Sequence, residues 1–403
     1  MASGGRRLGT FLSLREDLLA TLRVLDATAA PRGAELAAAT ALQEFCSERW
    51  PTIGWQLQPI GVHGANLAAS HGAGPLLYSH LDTSLSGGPR DVLVTGREAH
   101  PDPLRITEAT VDGFGVGVAR APAAAALVGF AGASSGHLLL ASSGTHRRAG
   151  NAAGLDAWLR ENPLPPSAIV AKCGPPGVLW SEPGACYLTV VVTGRQGAVM
   201  APLSAIPAGG VAAHCGVLLA AIYAWCRDYL AAQPAAGQLG AAAGIGTINA
   251  GWSDKADLLP AAVEIGLYLV TLPGVDTAAL ANDLLARVRA AMAGSALDPC
   301  TVTVTREVVH AAAATEAAAP IVSAARVSWT RRLGYQPCPI TGWTGSTDGV
   351  VLRAHGIDTV RLGPQSVPVH GDERRDLVNL DDLAAFALIY RELLSGVGAD
   401  VYD

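Results

Sequence analysis

The segment LLYSHLDTSLSG, residues 76–87, ends an apolar run in His80-Leu81-Asp82. Residues two apart in a strand share a face, so an imidazole and a carboxylate stand together at the strand's mouth. That is half of a metal site, since zinc takes three or four His, Cys or carboxylate donors. A blander use stays open, in which Asp82 only fixes the His80 ring. The strand-end position favours chemistry, because ligands of α/β sheets gather outside the carboxyl ends of strands. Other signatures fail. GFGVG, residues 113–117, lacks the spacing of a nucleotide-phosphate loop, and no Walker lysine exists. TGSTDG is not a serine-nucleophile elbow. Cys173 stands beside Lys172, which is thin support for a nucleophile.

The chain that must position these residues has 403 residues, enough for two or three domains. Half are apolar and only 15% charged, so a large core can form. A net charge of −6 argues against a general nucleic-acid binder. Seven cysteines, odd in number and never spaced C-x-x-C, suit reduced thiols in a cytoplasmic protein. No signal peptide is read at the N-terminus. GGVAAHCGVLLAAIYAWC, interrupted by His214, reads as a buried helix.

Hydrophobic spacing predicts helices over Ser13 to Leu25, Gly33 to Arg49 and Pro122 to Phe130, and strands over 64–70, 75–80 and His137 to Ala141. This alternation predicts a largely parallel, doubly covered sheet. The middle changes character: CYLTVVVTG a strand, Ala208 to Leu230 one long helix, VEIGLYLVTLPG a strand, Thr277 to Ala293 a helix, TVTVTREVV a strand. That is a small α+β sandwich. The ending returns to α/β character, with helices over Pro320 to Leu333, DGVVLRAHG and Asp381 to Leu394, and a strand in DTVRLGP. The expected architecture is a mixed sheet flanked by helices over 1–184 and 310–403, with an α+β domain inserted at 185–309.

Three blocks then matter together: GANLAAS…GPLLYSHLDTS, VDGFGVGVARAPAAAAL, and TGWTGSTDGVVLRAHGIDTVRLGPQSVPVHGDERRDLVNLDDL. In order and spacing they resemble the two-zinc metallopeptidase family of acetylornithine deacetylase, succinyl-diaminopimelate desuccinylase, aminoacylase and carboxypeptidase G. GTINAGWSDKADLLPAAVEIGLYLVTLPG resembles the strand pair of that family's inserted lid. The resemblance implies a zinc-exopeptidase-like catalytic domain, a lid that dimerises, a homodimer, and amino-acid-derived substrates. Some members act on a small carrier protein's cargo, so a carrier-bound substrate is one expectation; no nucleic acid or membrane partner is.

The ligand pattern breaks. His80 and Asp82 match the family's H-x-D, and His370 in VPVHGDE matches its last histidine. The bridging aspartate falls on Val118, with Arg120 in place of a lysine; the glutamate pair falls on SSGTHRRAG, near His146 and Arg147; the next acid falls near Gly174. In the lid, GRQGAVMAP lacks the family's histidine, and D-x-R reads Tyr268-Leu269-Val270. Two zincs need a bridging anion against their repulsion, and arginine stays protonated near neutral pH. The expectation is therefore a site without metal or other cofactor. His80, Asp82 and His370 would be catalytic. Arg120, His146 and Arg147, with Arg148, would clamp an anion, while Asp348 and Glu373 would seat or deprotonate a substrate amine.

Blander uses remain open beside these. His370 could be a loop histidine capped by Asp372 or Glu373, Thr347 and Asp348 could N-cap the helix that follows, and Arg147 and Arg148 could be exposed. Arg120 could form a salt bridge at a helix start, and Arg374 and Arg375 could be solvated. A base facing an anion clamp suits substitution or elimination, most specifically ring closure of an amino acid with loss of sulfate or phosphate, as in specialised metabolism. The rivals are a zinc-dependent amide hydrolase with substitute ligands from Glu373, Asp348 or His146, and a non-catalytic binding subunit.

Overall fold

The computed structural model describes residues 2–86, 88–96, 103–146, 152–200 and 207–396, without the side chains of 2–12, 90, 373 and 374. Arg147 and Arg148 lie outside the described residues, as does the side chain of Glu373. The chain forms two compact units. One comprises Met1–Ser181, Ala314–Ile340 and Thr347–Asp403, the other Glu182–Ala313 and Thr341–Ser346.

A six-stranded sheet forms the centre of the first unit. Its order is Gln56–Ile60, Gly64–Ser70, His137–Ala141, Leu76–His80, Ser167–Ala171, Asp358–Leu362. The last four run parallel and the first two antiparallel, giving a mixed sheet. The parallel strands are buried on both faces, which is why LLYSH and HLLLA read as nearly unbroken apolar runs. Leu77 packs on one side with the helices Ala121–Ala131, Pro320–Leu333 and Leu380–Ser395. Leu76 and Tyr78 pack on the other with Leu155, Trp158 and Leu352. The Ala121–Ala131 helix is buried through Phe130. Its alanines let the Leu380–Ser395 helix approach so closely that a Cβ on Gly129 would sit 2.5 Å from the Ala387 carbonyl oxygen.

A second sheet in this unit, Ser366–Val369, Asp372–Asn379, Thr110–Phe114 and Arg105–Ile106, was not anticipated. Its DERRDLVN strand looks solvated in sequence. Yet Arg375 is buried, its Nε 2.8 Å from Asp112 Oδ1 on the neighbouring strand.

The second unit has one four-stranded sheet in the order Ala242–Ala250, Ala262–Thr271, Gly184–Thr193, Thr301–His310, all antiparallel. The helices Cys215–Ala231 and Thr277–Met292 cover one face through Leu218, Ile222, Leu284 and Val288. The single helix expected over Ala208 to Leu230 is interrupted. Gly209 and Gly210 take positive φ, and His214 breaks the run, its Nε2 2.7 Å from the Ala208 carbonyl. Likewise the helix expected from Gly33 begins at Leu36, because Gly33 itself sits at φ +81°. No helix among the described residues is long and apolar enough to cross a membrane.

Candidate active site

Register determines what meets at the carboxyl end of the parallel strands. Tyr78 pairs with Val170, and Leu76 with Ala168. Two residues beyond, His80 and Lys172 leave their strands side by side, and Ser79 Oγ ties the two ends together by donating to the Ala171 carbonyl (3.1 Å). The Lys172 ammonium lies 2.5 Å from His80 Nε2 and also donates to the Val118 carbonyl. The other ring nitrogen, Nδ1, lies 2.9 Å from the Asp82 carbonyl and 3.3 Å from Asp82 Oδ1. A ring protonated on Nδ1 satisfies both sides: it donates to Asp82 and accepts from Lys172.

Asp82 is fully buried. Its Oδ1 accepts from the Gly144 N–H at 2.7 Å and its Oδ2 from the Thr145 N–H at 3.0 Å. Burial alone would raise this acid; the His80 ring and the Thr145 donor outweigh it and hold the carboxyl well below the ordinary range. The loop that delivers those donors is tightly held. Glu35, completely buried, accepts from Gly33 N (2.7 Å), Ser142 Oγ (2.5 Å) and Ser143 N (3.0 Å). Ser143 takes φ +59°, a left-handed conformation costing about 1–3 kcal/mol in a non-glycine residue. Gly144 must be glycine on steric grounds, since a Cβ there would lie 2.3 Å from His80 Cβ.

A second polar chain adjoins the first. Tyr78, two residues before His80 on the same strand face, donates to Asp348 Oδ2, and His146 Nε2 lies 3.0 Å from Asp348 Oδ1. Burial first, then the Asp348 charge, push the Tyr78 phenol well above its usual value, so it remains a donor. Asp348 starts the Gly349–Ala354 helix but does not cap it with its side chain; Thr347 Oγ1 accepts the Gly349 N–H instead, at 3.2 Å. The same spot that a Gly144 Cβ would occupy is 2.9 Å from the Tyr78 hydroxyl, so Tyr78 and His80 flank one backbone segment.

The fold thus brings together His80, Asp82, His146 and Asp348 of the residues singled out in the sequence. Arg120 requires a correction. Its guanidinium is buried against Asp26 of the N-terminal helix and stacks over Phe114, 5.7 Å from the ring centroid. It serves as a salt bridge at a helix start and is not part of an anion clamp beside His80. His370 is exposed in the turn between Ser366–Val369 and Asp372–Asn379, with no hydrogen bond to His80 or Asp82. Lys172 and Tyr78 were missed. One signal was available: Lys172 is one of only two lysines in the chain, directly after an apolar strand.

Three solved structures place this architecture. A tripeptidase from Staphylococcus aureus aligns over 94% of this chain and 98% of its own, at 15% identity and TM-score 0.67. An M20 family metallo-carboxypeptidase from Sulfolobus solfataricus gives the same coverage and identity with TM-score 0.65. A dinuclear metal-binding M20 peptidase from Bacillus subtilis aligns over 94% of this chain and 97% of its own, at 12% identity and TM-score 0.59. The chain has the M20 metallopeptidase fold. No protein-family sequence profile and no curated protein matches it.

That fold raises the question of a zinc pair, and the donor set among the described residues does not fit one. Among the described residues no three His, Cys, Asp or Glu side chains lie close enough together to hold a metal ion. The outward nitrogen of His80 meets an ammonium, and Asp82 is occupied by two backbone donors and the ring. A dication about 4 Å from an ammonium would be repelled by about 8 kcal/mol at an effective permittivity of about 20.

Proposed function

We propose that this protein is an enzyme that uses the peptidase-like scaffold without metal, on an amino-acid-derived substrate. The observation that carries the reading is the Lys172 ammonium 2.5 Å from His80 Nε2, with no carboxylate paired to it among the described residues. It offers positive charge beside a histidine whose other nitrogen is steadied by Asp82. When Lys172 turns onto the substrate's anionic group, His80 Nε2 is released from it and acts as general base toward a substrate amine, and the Asp82 carboxylate stabilises the resulting imidazolium. Lys172 holds the departing anion. The reaction this suits is displacement: the amine nitrogen forms a bond to a carbon bearing sulfate or phosphate, the C–O bond breaks, and the anion leaves with the electron pair. The amine proton goes to His80. When nitrogen and carbon belong to one molecule, the product is a small nitrogen ring. His146 and Asp348, with Tyr78 behind them, supply a further acceptor pair for the amine.

The test has two arms. Purified protein is analysed for zinc and treated with chelator, and amino acids carrying a sulfate or phosphate ester near the amine are incubated with it while free anion is measured. Anion release that survives chelation and disappears in His80→Gln supports the reading. One or two tightly held zinc ions essential for turnover would replace it with a metal-dependent amide hydrolase. No turnover of any such ester, with cellular activity untouched by His80→Gln, would leave a binding subunit.

A further inference from the structure

Asp82, His80 and Lys172 are connected in the order acid, imidazole, amine, the order in which a nucleophile triad passes its proton. The amine has ammonium donors but no ionic partner among the described residues, and Lys172 keeps part of its surface exposed. We propose that Lys172 is a covalent nucleophile that condenses with small aldehydes and 2-oxo acids to form an imine, with His80 as its proton carrier. This inference uses the same site as the displacement reaction but does not depend on that reaction.

The step balances without any added reactant. The Lys172 ammonium gives a proton to His80 Nε2. The freed lone pair attacks the carbonyl carbon, and the proton on nitrogen moves to the oxygen. His80 returns its proton to that hydroxyl, which leaves as water, and the C=N bond closes as an iminium. Three features favour it. Burial, then the nearby Arg361 guanidinium, lower Lys172 to about 8, against the opposing charges of Asp82, Cys173 and Asp348. At pH 7.5 about a quarter of such an amine is neutral, against about a thousandth of an ordinary lysine. The iminium keeps the positive charge that the ammonium held, so Asp82 and Asp348 continue to stabilise the site. The 2-oxo acid's carboxylate is suited to the same cationic surroundings.

The chain contains its own reference. Its one other lysine, Lys255, lies on the surface with a side chain 50% exposed. Full-length protein is incubated with glyoxylate and sodium cyanoborohydride at pH 7.5, and the reduced adducts are located by peptide mass mapping over time. Lys172 should be modified at least tenfold faster than Lys255. His80→Gln should bring the Lys172 rate down to the Lys255 rate or below, with Lys255 unchanged. Lys172→Arg should remove the fast adduct alone. Circular dichroism and a cooperative urea transition confirm that the variants are folded. Equal or slower labelling of Lys172 in wild type overturns the inference, as does fast labelling that persists in urea. Fast labelling together with failed anion release would keep the imine chemistry and remove the displacement reaction. The opposite pair of results would do the reverse.

Discussion

Lys172→Met removes an ammonium whose burial the fold tolerates at a cost. The folded-state value of about 8 lies below the usual lysine value of 10.5, through burial and then the Arg361 charge. The unfolded chain therefore holds this proton more tightly than the native protein does. Stability must rise with pH wherever the unfolded state carries more protons, which here means between about 8 and 10.5. Each pKa unit is worth about 1.4 kcal/mol, so the full penalty on the charged form is about 3 kcal/mol. Most of it, about 2.5 kcal/mol, is relieved between pH 7 and pH 10. Methionine has no proton to lose. It also leaves the Val118 carbonyl and His80 Nε2 without their donor, a cost of about 1–3 kcal/mol that does not vary with pH over this range. The test is urea denaturation of wild type and variant in parallel from pH 7 to pH 10. Other titrating groups affect both proteins and cancel in the difference. Wild type should gain about 2.5 kcal/mol on the variant across that range. Parallel stability curves, or a variant that gains on wild type as pH rises, would refute the claim that Lys172 is charged at neutral pH in a site that resists the charge.

Three further outcomes are expected. Glu35→Ala strips the acceptor from three donors at the Ser142–Ser143 turn and should destabilise the protein by about 3 kcal/mol; a urea midpoint unchanged from wild type would show that the turn holds itself. Arg120→Met should lower stability by about 2 kcal/mol, because Asp26 loses its partner, while KM stays at the wild-type value; the reverse pattern would return Arg120 to the substrate site. Asp82 is held below the ordinary carboxylate range, so its contribution is present at neutral pH and lost as pH falls through its folded value. Asp82→Asn should therefore flatten the acid limb of the stability curve and reduce turnover by about 10²–10⁴-fold.

Much of the fold could be read from the sequence because its signals are local. GANLAAS and HLLLA are strands over the residues where Gly, Pro and Ser break the apolar runs on either side. Pro at the first turn and Gly at the end frame the helix Pro320–Leu333. The Thr110–Phe114 strand and the Ser366–Val369 and Asp372–Asn379 hairpin could not be read this way. Their polar side chains are balanced by partners far along the chain, such as Asp112 with Arg375. The same limit applied to the site. His80 and Asp82 are two apart in sequence and legible. Lys172 becomes the partner of His80 only once the strand register is known, and position in a family pattern pointed to Arg120, whose long side chain turns toward Asp26 instead. The sequence marked where the family's carboxylates are absent but not that Lys172 lies beside His80.

The groups around Lys172 come from distant parts of the chain: His80 is 92 residues away from it, and Asp348 is 270 from Tyr78. No short fragment can assemble them, and closing such long loops is slow. The lowered basicity of this amine is therefore a property that the polypeptide acquires late, when the parallel strands are in register and water has been displaced from their ends. Brief pulses of an amine-reactive reagent during refolding would use Lys172 as a clock for the completion of the sheet, with Lys255 keeping time beside it.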